Sequence, residues 1–521
     1  MRVLLLSTYE LGHQPLGIAG PAAALEAAGH ETRGVDLAKT GWPDEAIVWA
    51  EAAVVSVPMH TATRLALGVI GRLRSEQPRL PLACHGLYAQ VLEGSELLRP
   101  GDLLVAGDPV PALLDWLTSA GAAGDEGLPG VTVYLGSPSS PAASSPTSRS
   151  SARPLRRGLP PLADYACLLQ GGASVTAASV EASRGCNHRC RHCPVAGVYR
   201  GRSRPVSVPS VLADIDQVVA AGAGHISFAD PDFLNRPRHA LEVARALHAA
   251  HPGVSFDATV KVEHILRHRT VWPELAECGL VFVVSAFESV DDTVLDLLDK
   301  GHTADDERLA LAIVRAAGIE VRPSWLPFTP WTTAESVAGL FLFAAEQDLV
   351  WSTDPIQYAI RLLLPRGSLL LADPDPVLAG ALTGQVDEVG SASWVAPDPV
   401  LDALQQELAL VAEAASGAAE PPDVTFSRLF GVARSAGAPL PAEPPAPVVR
   451  APQPAGSRPR LSESWFCCAE PTGAQFRAVG GSGAERAPAA ADPTRLDLVR
   501  LPPPLEATSE PGRTHRPSRV S

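Results

Sequence analysis

Between Arg184 and Val195 the chain reads RGCNHRCRHCPV, which carries Cys186, Cys190 and Cys193 with His188 and His192 among them. Thiolates spaced C-x3-C-x2-C on one turn can converge on a single metal centre. A structural Zn2+ would take the three sulfurs and either His188 or His192, since Cys3His is a common closed set. Zinc knuckles usually split their ligands between two chain segments, whereas every donor here lies in one loop. A four-iron cluster has four corners, normally all capped by cysteine. Three thiolates leave one iron open, and an open position is what a catalytic centre needs.

A second thiol feature lies far downstream, where Cys467 and Cys468 stand adjacent in SESWFCCAEPTG, residues 462–473. Adjacent cysteines close a disulfide only through a small strained ring, which makes the bond easy to reduce. The pair reads either as a redox or metal-binding feature, with Trp465 and Phe466 as an apolar anchor, or as two incidental thiols in a floppy tail, which the composition favours. Cys84, Cys167 and Cys278 are scattered singly and read as inert buried apolar residues.

These residues need a scaffold, and the apolar runs supply one. Residues 1–118 alternate strand and helix: VLLLS, then GPAAALEAAGH, ETRGVDL, AAVVSVP, TATRLALGVIGRLRSE, LPLACHG and DLLVAGD. Short apolar runs separated by amphipathic segments predict a doubly wound, flavodoxin-like α/β domain over 1–120 with a parallel sheet. Residues 121–170 read as a linker, and the Ser/Pro/Ala-rich stretch 137–154 cannot bury enough apolar surface to order itself. From 171 to 400 the alternation resumes with a longer period. Six strands are expected, in VTAASVEAS, HISFAD, VSFDATV, LVFVVSAFE, IEVRPSWLPF and IQYAIRLLL. Ser207 is placed to cap a helix whose first turn holds Pro209. Six β/α units form an open, partial (β/α)6 barrel, whose chemistry sits at the carboxyl ends of its strands. The cysteine loop follows the first of them. Residues 401–435 read as a helical extension, and 436–521, rich in Pro, Ala and Arg, as a disordered tail.

The bulk numbers exclude other classes. The chain has 521 residues, 46% of them hydrophobic, and a net charge of −15. No basic stripe supports nucleic-acid binding. No apolar stretch approaches the ~18 residues of a membrane span. The opening run Val3-Leu4-Leu5-Leu6 is too short for a signal peptide and reads as a first strand. Eight cysteines in such a length do not suggest a disulfide framework. A cytoplasmic protein is expected. Lysine is almost absent beside abundant arginine.

The cysteine spacing and its place after the first barrel strand resemble the radical S-adenosylmethionine (SAM) superfamily. The resemblance implies a [4Fe–4S] cluster on Cys186, Cys190 and Cys193, whose open iron chelates SAM. Reductive cleavage would give methionine and a 5′-deoxyadenosyl radical that abstracts hydrogen from a substrate. Many members place Tyr or Phe before the third cysteine, where this chain has His192. Asp230, in HISFADPDF, matches the position that receives the SAM ammonium, while Asp232 reads equally as a helix cap. Glu288 and Ser289 would face the ribose or carboxylate of SAM, with Ser285 as an additional candidate. Arg322 would pair with the SAM carboxylate or close the barrel rim. Lys261 and Glu263 read as a surface ion pair. A small-molecule or peptide substrate and an electron donor such as flavodoxin or ferredoxin are implied.

The first domain resembles the cobalamin-binding domains that precede many such barrels. Members with a lower histidine ligand carry D-x-H-x-x-G, whereas this chain has YELGHQPLG: His13 is present, but the aspartate that would orient it is missing. A degenerate domain without corrinoid is expected, with His60 and His85 at strand ends facing the same crevice. CCAEP, residues 467–471, resembles the terminal motif of the CUAEP/CCAEP-tail radical SAM proteins. Three readings therefore stand: a radical SAM enzyme of unknown substrate, a cobalamin-dependent methylase or rearrangement enzyme, and a zinc-stabilised scaffold presenting a thiol tail.

Overall fold

The computed structural model describes residues 1–122, 132–135, 153–463 and 465–480. The first sheet comprises β1 (Arg2–Ser7), β2 (Glu31–Asp36), β3 (Ala52–Ser56), β4 (Leu82–His85), β5 (Leu103–Ala106) and β6 (Thr132–Leu135). Its order is β2-β1-β3-β4-β5-β6, with every neighbouring pair parallel. β3, β4 and β5 are buried along their whole length, which explains their unbroken apolar runs. The order reverses between β1 and β3, so the ligand crevice of such a sheet lies outside the carboxyl ends of those strands. β6 falls in the segment expected as linker; of the low-complexity stretch, 137–152 lies outside the described residues.

The second sheet is built from β7 (Cys167–Gln170), β8 (Ala173–Val180), β11 (His225–Phe228), β12 (Ser255–Thr259), β13 (Leu280–Glu288) and β14 (Glu320–Trp325). Between β8 and β11, β9 (Ser183–Gly185) and β10 (Ser203–Pro205) form a short antiparallel pair around the cysteine loop. Farther on, β15 (Leu382–Val386) and β16 (Ala392–Trp394) pair antiparallel, and β17 (Arg460–Leu461) joins the edge of β7. The order β14-β13-β12-β11-β8-β7-β17 gives a curled half-barrel with five parallel strands, β8 and β11 to β14. The helix Val208–Ala220 starts as its sequence indicates: Ser207 accepts from the Ser210 N–H, and Val211, Ile215 and Val218 are buried.

Two expectations are corrected. The sixth barrel strand is reduced to one bridge between Phe328 and Arg361, preceded by a 3-10 turn over Pro355–Ala359. The turn puts the Gln357 side chain where a backbone carbonyl would stand, and its Oε1 accepts from the Trp325 N–H at 3.0 Å. The edge of β14 is thus satisfied without a ladder. The tail is corrected over 436–480, while 481–521 lies outside the described residues. Arg460 and Leu461 pair with Leu169 and Leu168, Arg458 is buried against Asp348, and Trp465, Ala469 and Val479 are buried. This segment has no core of its own, so its composition carries no period; its burial comes from surfaces that other elements present.

The two sheets meet through Arg156. Its guanidinium is buried, donating to Asp214 at 2.8 and 2.9 Å, to the Ser179 carbonyl and to Gln14.

Candidate active site

Gly185 turns the chain from β9 into the cysteine loop. Its φ is +76°, and a Cβ there would stand 2.4 Å from the Arg202 carbonyl oxygen, so only glycine makes this turn. Asn235 braces the far side: its Oδ1 accepts from the Asn187 N–H at 3.0 Å, and its carbonyl accepts from the Asn187 amide at 2.9 Å. The Cys193 N–H donates to the Cys190 carbonyl at 3.2 Å, and Arg191 N–H to the Leu298 carbonyl at 2.9 Å. Cys190 is buried, and Cys186 and Cys193 are half-buried. Burial, then the neighbouring Cys190, pushes the Cys193 thiol up to about 12, and burial also raises Cys186. Cys186 and Cys193 resist ionisation on their own, which suits a cationic centre that compensates their thiolates.

Asp230 is a strut. Its carboxylate accepts from the Ala182 N–H at 2.8 Å and from the Ser183 hydroxyl, tying the end of β11 to the start of the loop. Both oxygens are engaged, which departs from a free carboxylate awaiting an ammonium. Burial outweighs those bonds and lifts its pKa from 3.8 to about 7. Between these values the folded chain holds a proton that the unfolded chain has lost, so stability falls as pH rises across the window. Denaturation midpoints measured from pH 3.8 to 7 are expected to decline in the wild type and to flatten in Asp230→Asn. An equal slope in both proteins would remove this account of Asp230.

The other sequence candidates fall into two groups around the loop. Glu288 ends β13 with φ +71°, a conformation that costs a non-glycine residue and persists where surroundings enforce it. Lys300 Nζ lies 3.1 Å and His192 Nε2 3.3 Å from its Oε1. Burial opposes ionisation of Glu288, but Lys300 and His192 outweigh it and hold the carboxyl well below its usual range. On the other side, Lys261 is buried rather than on the surface. Its Nζ lies 3.3 Å from Glu263 and 3.2 Å from His188 Nδ1. His188 Nε2 meets His264 Nε2 at 3.1 Å, and His264 Nδ1 meets Asp232 at 2.8 Å. Both loop histidines are therefore engaged away from the sulfurs. Ser289 accepts from the Asp291 N–H, and Ser285 donates to the Val260 carbonyl. Arg322 pairs with Asp354 at 2.8 Å, and its Nη1 is a buried donor without a hydrogen-bond partner among the described residues.

Residues 180–330, the span from the end of β8 through β14, match the model of the radical SAM superfamily. This segment is a radical SAM domain. The chain is 25% identical over 174 residues to 4′-phospho-dehydrooxetanocin synthase of Priestia megaterium, covering 29% of this chain and 23% of that protein. It thus spans under a quarter of that curated relative. Among solved structures it resembles the cobalamin-dependent S-adenosylmethionine radical enzyme OxsB with aqua-cobalamin and SAM bound, with TM-score 0.57 and 14% identity. The apo selenomethionine-labelled form gives TM-score 0.59 and 14% identity. Each likeness covers 80% of this chain and 66% of the other. At that identity they establish a shared fold.

The first domain presents the radical SAM domain with a filled crevice. His13 is buried near Asp257 and His225, its Nδ1 has no partner among the described residues, and burial lowers its pKa to about 4. His60 is engaged by Glu470 at 2.8 Å, and burial also lowers His85 to about 4. A Cβ on Gly12 would meet Glu463 at 2.8 Å. The cavity left there, about 250 Å3, is lined by Tyr9, His13, Lys39, Tyr165 and Glu463. It has no room for a corrinoid ring while residues 463–478 stay in place, so these residues do not fit cobalamin in this conformation, although His13 and His85 each keep a ring nitrogen without a partner among the described residues. Sequence reasoning missed Lys300, Thr61 and Glu470. Lys300 carried a usable signal: it is one of three lysines, with Lys39 and Lys261, in a chain that otherwise builds its cations from arginine.

Proposed function

We propose that this chain is a radical SAM enzyme, carrying a [4Fe–4S] cluster on Cys186, Cys190 and Cys193 and acting on a small-molecule or peptide substrate. One observation carries the reading: three cysteines gathered on one braced loop that opens the radical SAM domain at 180–330. Such a cluster, when bound, supplies the electron that cleaves SAM to methionine and a 5′-deoxyadenosyl radical, which abstracts hydrogen from the substrate. The chain's own groups then bind and orient. Glu288 offers a fixed anion toward hydroxyl or ammonium groups of SAM, and Arg322 Nη1 an uncommitted donor for its carboxylate. Ser289 stands beside Glu288. A carrier of flavodoxin or ferredoxin type delivers the electron, and a cytoplasmic setting suits such a centre. No described helix is long and apolar enough to cross a membrane. The CCAEP sequence supports placing the chain with the CUAEP/CCAEP-tail proteins.

The test is anaerobic reconstitution with iron and sulfide, followed by SAM and a reductant. The expected material is brown, holds iron and sulfide in stoichiometric amount and releases 5′-deoxyadenosine. Colourless protein with one zinc per chain would support the scaffold reading and overturn this one. The likeness to OxsB favours a cobalamin-dependent variant as the second reading. Corrinoid absorbance that survives desalting would support it, at the cost of displacing residues 463–478.

A further inference from the structure

The tail segment lies across the carboxyl edge of the first sheet, where a doubly wound domain takes its ligand. Thr61 Oγ1 is 3.1, 3.1 and 2.7 Å from the carbonyl oxygens of Phe466, Cys467 and Ala469. Glu470 is held by His60 at 2.8 Å and by Arg64 at 2.9 Å, and the Trp465 indole N–H donates to the Glu470 carbonyl at 3.0 Å. Beyond this anchor Thr472 and Gln475 cap one another and open the short helix Gly473–Ala478. The tail does not fill the edge completely. The cavity of about 250 Å3 beside His13 has the turn after β1 and the end of β2 on one side. Glu463, Ala474, Gln475 and Ala478 of the tail form the other.

The charge around this cavity is unbalanced. Glu10, Asp36 and Glu463 all line it, and none of the three enters an ion pair among the described residues. Their hydrogen bonds come from the backbone: Glu10 accepts from the Gly17 N–H at 2.9 Å, Asp36 from Ala38 at 3.1 Å and Glu463 from Trp465 at 3.0 Å. Lys39 also lines the cavity, but its ammonium sits over the Tyr165 ring, 5.2 Å from the centroid, and not on a carboxylate. His13 adds no charge near neutral pH, because burial lowers it to about 4. Tyr9 and Tyr165 complete the wall. They are 5% and 8% exposed, and neither hydroxyl has a hydrogen-bond partner among the described residues. Buried charges are ordinarily paired. Here burial raises all three carboxyls, Glu10 to about 8, and a cation among them would offset that cost. A bare metal ion is a poor fit, since these acids do not bring three ligand atoms within 4.8 Å of one another. The volume equals that of about eight liquid waters, which suits a molecule of amino-acid size and excludes a nucleotide.

We propose that this cavity binds a small aliphatic ammonium compound, a diamine or a basic amino acid, whose N–H groups the Glu10, Asp36 and Glu463 carboxylates accept. The hydroxyls of Tyr9 and Tyr165 bond beside them, and the tail is the wall that closes the site through Glu463. Glycine at position 12 keeps the place of that carboxylate open, because a Cβ there would stand 3.1 Å from Glu463 Oε2. Neither Glu288 nor Arg322 lines the cavity, so the site is separate from the groups assigned to SAM and does not depend on the cluster.

The experiment titrates the full-length, anaerobically reconstituted protein calorimetrically with 1,4-diaminobutane and with L-ornithine at constant ionic strength. The controls are 1,4-butanediol, of matched size without charge, and magnesium chloride, charge without the aliphatic chain. At least one amine is expected to bind and to slow amide hydrogen exchange in residues 8–13 and 465–478, a readout that needs no variant to fold. The tighter of the two tells whether a carboxylate accompanies the ammonium. Glu463→Gln keeps an acceptor for the Trp465 N–H, so the tail stays seated, and it is expected to weaken binding about tenfold. No binding of either amine, equal binding of a control, or unchanged affinity in Glu463→Gln overturns the inference. Release of 5′-deoxyadenosine by the same preparation is read separately, so each of those results leaves the proposed function standing.

Discussion

Cys190→Ala is expected to leave a folded chain that no longer retains iron or sulfide and releases no 5′-deoxyadenosine. The same holds for Cys186→Ala and Cys193→Ala. Three protein thiolates are the minimum that leaves a single iron open, and removal of any one opens a second corner to solvent. The loop is braced mainly by groups other than the sulfurs, although Cys186 Sγ accepts from the His188 N–H at 3.5 Å and lies 3.6 Å from Asn235 Oδ1. Gly185, Asn235 and Asp230 brace it, and the carbonyl of the buried Cys190 accepts the Cys193 N–H in a turn. Stability changes of about 1 kcal/mol are therefore expected for each variant, the usual size for a substitution that empties little volume. Iron and sulfide analysis with circular dichroism reads both outcomes. His192→Phe and His188→Ala are the controls, because a Cys3His zinc site would lose its metal with one of them. Both histidines are engaged elsewhere, by Glu288 and by His264, so each variant is expected to keep its iron. Stoichiometric iron in any cysteine variant would remove the assigned ligand set.

Much of this scaffold was legible because burial on two faces writes itself into composition. Strands β3, β4 and β5 of the first sheet are buried, largely apolar runs of four or five residues, and the strand segments expected at VSFDATV and LVFVVSAFE coincide with β12 and β13. The cysteine loop was legible because metal ligation demands residue types that little else demands. What escaped was everything decided by partners distant in sequence. IQYAIRLLL has the composition of a strand, yet Gln357 satisfies the neighbouring edge with its side chain and leaves one bridge. The stretch 436–480 has no period of its own, yet β17 pairs with β7, and Thr61 gathers three carbonyls of the tail. Asp230 matched a ligand-binding position by its place after β11, and in the structure the Ala182 N–H just before β9 and the Ser183 hydroxyl at its start engage both oxygens. A carboxylate's role depends on which donors reach it first, and spacing along the chain does not record that.

Lys300→Met tests the charge arrangement at the mouth of the radical SAM domain and carries the second large expected effect. Lys300 is 2% exposed, and its ammonium stands 3.1 Å from Glu288, itself 9% exposed. Breaking a buried pair by removing one partner typically costs about 3–5 kcal/mol, because the remaining charge is left without compensation. Here the His192 ring remains at 3.3 Å from Glu288 and offsets part of the loss as a hydrogen-bond partner. The sign of the pH dependence follows from Glu288. In the wild type its carboxyl lies below 4.5, so the pair's contribution is present above that pH and fades as acid protonates the folded state. In Lys300→Met, burial acts on Glu288 with less opposition, its carboxyl moves upward, and stability is expected to fall as pH rises through neutrality. Chemical denaturation across pH separates the two curves. Lys300→Met/Glu288→Gln should recover most of the lost stability, since no bare charge then remains, while SAM cleavage stays impaired if Glu288 orients SAM. A single variant as stable as wild type at neutral pH would mean that the pair contributes nothing there. Full SAM cleavage by the stable double variant would instead relieve Glu288 of any role in holding SAM.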